Sequence, residues 1–124
     1  MLKKTHEFND IIRKLRKELF GKGPERIHTV FVDNMIISTL YGNLTPTETF
    51  IASTPEGKEM VHAARTRMIQ EVYQKAPPEG MEELVGAKFI HLFSDIKLGD
   101  DIAVSVFLFD RPIDNKGGKA DGTR

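Results

Sequence analysis

The chain has 124 residues, 40% of them hydrophobic, and its 18 Lys and Arg residues balance its 18 Asp and Glu residues. This composition is typical of one globular domain, and the zero net charge counts against nucleic-acid binding over the whole surface. The lack of cysteine excludes disulfides, thiolate nucleophiles and Cys-ligated metals and fits a reducing cytoplasm, and no apolar run reaches the roughly 18 residues that span a bilayer.

The first predicted element is an amphipathic helix of about four turns, with Thr5 as a candidate N-cap. Its apolar side chains recur at i, i+3, i+4 and i+7, and they are Phe8, Ile11, Ile12, Leu15, Leu19 and Phe20. The stretch Gly21–Pro24 ends the helix, because glycine terminates helices and proline cannot continue them.

A basic cluster lies on this helix, made of Arg13, Lys14, Arg16 and Lys17. Such a helix can lie on an anionic membrane or on nucleic acid. No aromatic residue lies within the cluster to stack on bases, which argues against nucleic acid. We therefore favour a surface helix whose apolar stripe packs on a sheet.

Two strands follow, Arg26–Val32 and Met35–Tyr41, and only Asp33 and Asn34 separate them, which predicts a tight hairpin. With a two-residue loop, one face of the hairpin carries Val30, Val32, Met35 and Ile37, and the other carries Ile27, Phe31, Ile36 and Leu40. A sheet with one face in water should alternate between apolar and polar residues. Because both faces are apolar here, we expect a second copy of the chain to cover one of them in a homodimer.

Two Thr-Pro pairs predict the next two helices. Thr45, with Glu48 three residues later, has the capping-box pattern and starts a short helix that ends near Ser53. Thr54 starts a longer helix that reaches about Lys75. One further short helix is suggested by Met81, Leu84 and Val85.

The last predicted strands, Lys88–Asp95 and Ile102–Asp110, form a second hairpin. The element order is thus α-ββ-αα(α)-ββ, and the predicted fold class is α+β, with a four-stranded antiparallel sheet of two hairpins and helices on one face. We assign residues 1–110 to this single domain. Residues 111–124 are predicted to be a disordered tail, since beyond Ile113 the only apolar residue is Ala120.

No pattern in the sequence predicts catalysis or metal binding. His28 and His91 lie on different hairpins and would suit a metal only if the two strands were neighbours. Ser94 and Asp95 end the third predicted strand, but the sequence places no histidine beside them, and Asp95 is more simply a turn former. We therefore expect a protein that is not an enzyme and has no cofactor and no metal.

Anions are the one class of ligand that the helix starts suggest. The N-termini at Thr45 and Thr54 offer N–H groups and the positive end of a helix dipole. Arg65, on the long helix, would add positive charge. The simpler interpretation is that the threonines only cap helices and that the arginine is solvated. Thr45, Thr54 and Arg65 are nonetheless the predicted anion-binding residues.

The order of these motifs resembles the MpsC family of small bacterial proteins, over about Thr5 to Asp110. The motifs are Gly21–Pro24 before a hairpin, Leu44–Pro46 with Glu48, Glu56–Gly57 opening a helix that carries Arg65, and Ser94–Asp95 before the last strand. The resemblance implies a cytoplasmic, non-enzymatic accessory protein of a sodium-translocating, membrane-potential-generating system. The ion-moving parts of that system are membrane-embedded proteins related to inorganic-carbon uptake machinery.

The family brings no catalytic residues to transfer. The expected partners are a second copy of the chain, because both faces of the hairpin are apolar, and, from the resemblance, a membrane transporter subunit that moves ions or bicarbonate. The alternative is a regulatory dimer that binds a small ligand or an anion. Nucleic acid is a less expected partner.

Overall fold

The computed structural model describes residues 2–113 of the chain. Its elements are α1 (Leu2–Phe20), β1 (Arg26–Val32), β2 (Met35–Tyr41), α2 (Pro46–Ile51), α3 (Pro55–Lys75), α4 (Met81–Val85), β3 (Phe89–Lys97) and β4 (Ile102–Phe109). This is the predicted element order, and it confirms the α+β fold class. Of the tail predicted at 111–124, the part from residue 114 onward lies outside the described residues.

The first helix is longer than predicted, because it begins at Leu2 rather than near Thr5. It ends where Gly21 adopts a φ of 85°, in the left-handed region that glycine enters without a Cβ penalty. The Gly21 N–H donates to the carbonyl oxygen of Lys17 at 2.8 Å, which satisfies one of the last carbonyls of the helix.

The four strands form one antiparallel sheet in the order β1-β2-β4-β3. The first hairpin has the predicted register, with Val32 opposite Met35. The second hairpin joins it through the β2–β4 pair, so that β1 and β3 lie at opposite edges. His28 on β1 and His91 on β3 are therefore far apart, and the suggestion that they are neighbours in the sheet is wrong.

The third strand runs two residues beyond its predicted end. It extends to Lys97, and Asp95 pairs with Val104 inside the β3–β4 ladder. The interpretation of Asp95 as a residue of the turn is therefore wrong. The turn begins only at Leu98, because the alternation of buried and exposed side chains continues through Ile96 and Lys97.

Helices cover one face of the sheet. The largest fully buried side chains of the core are Phe8 and Ile12 of α1, Ile36 and Leu40 of β2, Phe107 and Phe109 of β4, and Met81 and Val85 of α4. The rings of Phe8 and Phe107 meet edge to face, with centroids 5.2 Å apart. Such aromatic pairs stabilise a core beyond the area that they bury.

The opposite face of the sheet, which we call the open face, carries no helix within residues 2–113. Its apolar side chains are Val30, Val32, Met35, Ile37, Phe93, Ile102, Val104, Val106 and Leu108. Several are well exposed, with Val104 at 41% and Phe93 at 58%. Both faces of the sheet are thus apolar, as predicted, and the described chain covers only one of them.

Candidate functional site

The start of α2 has the predicted capping box. Thr45 Oγ1 accepts a hydrogen bond from the Glu48 N–H at 3.1 Å, and Glu48 Oε1 accepts one from the Thr45 N–H at 2.9 Å. The side chain of Glu48 therefore lies back over the N-terminus of its own helix. A carboxylate in this position is favoured by the helix dipole.

Arg65, on α3, donates two hydrogen bonds to the same carboxylate. Its Nε donates to Glu48 Oε2 and its Nη2 to Glu48 Oε1, both at 2.8 Å. Nη2 also donates to the Asn43 carbonyl oxygen at 2.8 Å, and the guanidinium carbon lies 4.1 Å from the centre of the Phe20 ring. Arg65 is only 4% exposed, so the simpler interpretation of a solvated Arg65 is wrong.

The charge of Glu48 is stabilised by this arrangement. Burial raises the pKa of Glu48, but the hydrogen bonds from Arg65 and Thr45 together outweigh it, so that the pKa lies below its ordinary value. The anion at the N-terminus of α2 is thus supplied by the protein's own side chain.

Thr54 caps α3 separately, through a hydrogen bond from the Gly57 N–H to Thr54 Oγ1 at 3.0 Å. The structure thus brings Thr45 and Arg65 together through Glu48, while Thr54 has a different partner. The anion site predicted at Thr45, Thr54 and Arg65 stays a prediction. In such a site, an external anion would have to displace Glu48 from Arg65.

A row of hydroxyl groups crosses the covered face of the sheet. Thr29, Ser38, Ser105 and Ser94 lie opposite one another along the four strands, from β1 to β3. Thr29 Oγ1 lies 2.7 Å from Ser38 Oγ, and Ser105 Oγ lies 2.9 Å from Ser94 Oγ. Thr29 also donates to Asn9 Oδ1 of α1 at 2.6 Å. Buried hydroxyls normally find such partners, because leaving them unpaired is costly.

Arg16, on α1, lies against this row and is only 6% exposed. Its Nη2 donates to Ser105 Oγ at 3.3 Å. Within the described residues, no carboxylate oxygen lies within 4.0 Å of a nitrogen of this guanidinium. Burial lowers the pKa of Arg16 to about 10, partly offset by Tyr73 and reinforced by the nearby charge of Arg65.

The sequence interpretation missed Arg16 because it grouped this residue with the solvated basic cluster. The helical spacing contained the signal, since Arg16 follows Ile12 by four residues and precedes Phe20 by four. Arg16 therefore belongs to the buried stripe of α1. Ser105, a polar residue among the apolar side chains on one side of the last strand, was a second signal of a polar partner beneath the helix.

Asp95 has a histidine partner that the sequence did not place there. His62 Nε2, on α3, lies 2.7 Å from Asp95 Oδ1. The hydrogen bond from His62 is the largest cause of an Asp95 pKa below its ordinary value, and a bond from the Ile96 N–H adds to it. Both side chains are exposed. In residues 2–113, no group of three or more metal-binding side chains comes together.

The open face has a polar end and an apolar end. The charged side chains lie in two neighbouring rows at one end, Arg26 and Lys97 in one and Asp95, with His28, in the other. The row of Val32, at the opposite end, is apolar except for His91. In the row of Val30, every side chain is apolar. Among residues 2–113, no helix is both long and apolar enough to cross a membrane.

Comparison with known proteins gives similarity over nearly the whole chain. A family described as "Na+-translocating membrane potential-generating system (MpsC)" matches residues 2–111. An uncharacterized protein of Bacillus subtilis (strain 168), YrhF, is 75% identical over 116 residues, which are 94% of this chain and 95% of that protein. No solved structure gives a significant match.

Proposed function

The chain belongs to the MpsC family, and from this premise we propose that it is a non-enzymatic accessory protein of a membrane system that moves ions or bicarbonate. The observation that carries the proposal is the family match over residues 2–111, because the family description names a sodium-translocating system that generates a membrane potential. We place the protein on the cytoplasmic side of that membrane. There it would bind a transporter subunit rather than move ions itself.

We further propose that a second copy of the chain covers the open face. Four strands about 4.8 Å apart and seven residues at about 3.3 Å each give a face of about 19 by 23 Å, or about 440 Å² in projection. Side-chain relief raises the accessible area above this projection. The area thus approaches the roughly 600 Å² per partner at which specific interfaces begin.

The two ends of the open face favour one geometry for this dimer. A two-fold axis parallel to the strands places each row on the same row of the partner subunit, so that apolar rows meet apolar rows. The same axis brings β1 of one copy over β3 of the other. An axis across the strands would instead place the row of Arg26 on the row of Val32, which contains no carboxylate, and would bury charge without a counter-charge.

The accessory role is tested in cells of the source organism. The tagged protein, at native expression level, is purified from detergent-solubilised membranes, and its partners are identified by mass spectrometry. We expect a multi-spanning ion-transport protein among them, and deletion of the gene should lower the membrane potential. Recovery of the protein alone, with an unchanged membrane potential and unchanged growth at ambient carbon dioxide, would contradict the proposal.

A regulatory dimer that binds an anion is the second candidate function. The observation that favours it is the buried charge of Arg16, which has no carboxylate partner among the described residues. The anion site predicted from the sequence, at Thr45, Thr54 and Arg65, is a separate version of this function. It is tested by thermal unfolding with phosphates, bicarbonate and nucleotides, since a ligand that binds only the folded state raises the melting temperature. An unchanged melting temperature with all of them would exclude this version.

A further inference from the structure

We propose that the cavity between α1, α3 and β3 is a binding site for one small monovalent anion of halide size, held by Arg16. The polar side chains that line the cavity are Arg16, Arg65, Thr66, Ser94 and Asp95. Three small or apolar side chains, Ile69, Ile96 and Ala103, complete its wall. The site differs from the one predicted at Thr45 and Thr54, and it does not depend on the accessory role.

Of the two arginines at the cavity, Arg65 has a carboxylate in contact and Arg16, among the described residues, does not. Arg65 is matched by Glu48, with two hydrogen bonds of 2.8 Å. Arg16 has no such match among the described residues, although it is only 6% exposed. The other carboxylate at the cavity, Asp95, is exposed and bound to His62, so the guanidinium of Arg16 is left without a carboxylate in contact. A buried charge without a partner is strongly unfavourable, and a bound anion would compensate it.

Arg16 has more hydrogen-bond donors than it uses within the described residues. A guanidinium has five N–H donors, and Arg16 uses one of them, towards Ser105, within residues 2–113. Ser94 and Ser105 share one hydrogen bond between their hydroxyls. One of their two hydroxyl hydrogens is therefore left to donate elsewhere. A site with surplus donors suits a ligand that only accepts, which is the property of an anion.

The size of the cavity restricts the anion. The cavity has a volume of about 10 Å³ and lies within a cleft of about 220 Å³ that includes solvent at its mouth. This is close to the room that a single water molecule requires, and it suits a chloride or bromide ion better than sulfate or phosphate.

The charge at the mouth of the cavity also favours a monovalent anion over a divalent one. Asp95 lies there, held by His62 at 2.7 Å and by the Ile96 N–H at 2.8 Å. Its carboxylate repels anions, and it repels a divalent anion more strongly than a monovalent one. The site should therefore discriminate against sulfate and phosphate by charge as well as by size.

Thermal unfolding in sodium bromide, compared with sodium gluconate at equal ionic strength, tests the site. Arg16→Met removes the side chain that is proposed to bind the anion. Arg13→Met is its control, because Arg13 lies on the same helix and pairs with Asp10 at the surface. We expect bromide to raise the melting temperature by about 4 °C or more in the wild type and in Arg13→Met, but not in Arg16→Met. An equal rise in all three proteins, or none in the wild type, would overturn the proposal.

Two further measurements keep the proposal testable if Arg16→Met does not fold. Ser94→Ala removes a single hydroxyl and should weaken bromide binding about tenfold, the effect of one hydrogen bond to a charged group. In crystals grown in bromide, the anomalous signal should show an ion in contact with the Arg16 guanidinium. Unchanged affinity in Ser94→Ala, or bromide only at other places on the surface, would overturn it.

Discussion

At the scale of single residues, the ion pair between Arg65 and Glu48 joins three parts of the chain. Glu48 closes the capping box of α2, and Arg65 reaches it from α3 while also holding the Asn43 carbonyl oxygen. Both oxygens of the carboxylate are engaged, which is the strong, bidentate form of an arginine–carboxylate pair. Removing one partner leaves a nearly buried guanidinium without its counter-charge.

Glu48→Gln should lower the free energy of unfolding at pH 7 by about 2 kcal/mol, less than for a fully buried pair because Glu48 is partly exposed. Glu71→Gln is the control. It breaks the exposed Arg67–Glu71 pair and should cost less than about 0.5 kcal/mol. Urea unfolding of the two variants measures the difference, and equal losses would contradict the role given to Glu48.

The ion pair between Arg65 and Glu48 should also make the stability of the protein depend on pH. Because the pKa of Glu48 is lowered in the folded state, its stabilisation is present above the pKa of the unfolded chain and is lost as the pH falls through the lower, folded value. The stability difference between the wild type and Glu48→Gln should therefore shrink on acidification below about pH 4. Unfolding at pH 7 and pH 3 checks this, and a difference that stays constant would contradict it.

At the scale of elements, α2 and α3 meet at a glycine. A Cβ added at Gly57 would overlap the carbonyl oxygen of Ile51, the last residue of α2. The two helices can therefore approach each other this closely only because residue 57 has no side chain.

Gly57→Ala should destabilise the protein by about 3 kcal/mol, although alanine is the better helix former, because the overlap is with backbone and cannot be relieved by a side-chain rotation. Gly99→Ala is the control, since a Cβ there meets nothing within 4 Å. Thermal unfolding of both variants measures the effect. A Gly57→Ala protein as stable as the wild type would show that α2 and α3 can separate at no cost.

At this scale, the sequence predicts the features that depend on residues close together in the chain and misses those that depend on residues far apart in it. The first hairpin and the caps at Thr45 and Thr54 depend on residues close together in the chain, and all of them were predicted. The position of His28 relative to His91 depends on which strand of the first hairpin pairs with which strand of the second, and local patterns do not predict this pairing. The burial of Arg16 depends on Ser105, 89 residues away.

At the scale of the whole molecule, the sheet is covered on one face and open on the other. Its alternating pattern has apolar side chains on both faces, and the described chain supplies helices for one of them. Exposed apolar surface of this kind marks a place of interaction. The account therefore depends most on the open face as an interface between two copies of the chain.

Light scattering coupled to size-exclusion chromatography tests this claim most directly, with Phe93→Glu and Phe50→Glu as a matched pair. Both phenylalanines are exposed, at 58% and 79%, but Phe93 lies on the open face and Phe50 on α2. We expect a wild-type mass of twice the 14.0 kDa of the chain, the same mass for Phe50→Glu, and a monomer for Phe93→Glu. A monomeric wild type, or a dimer that survives Phe93→Glu, would contradict the account.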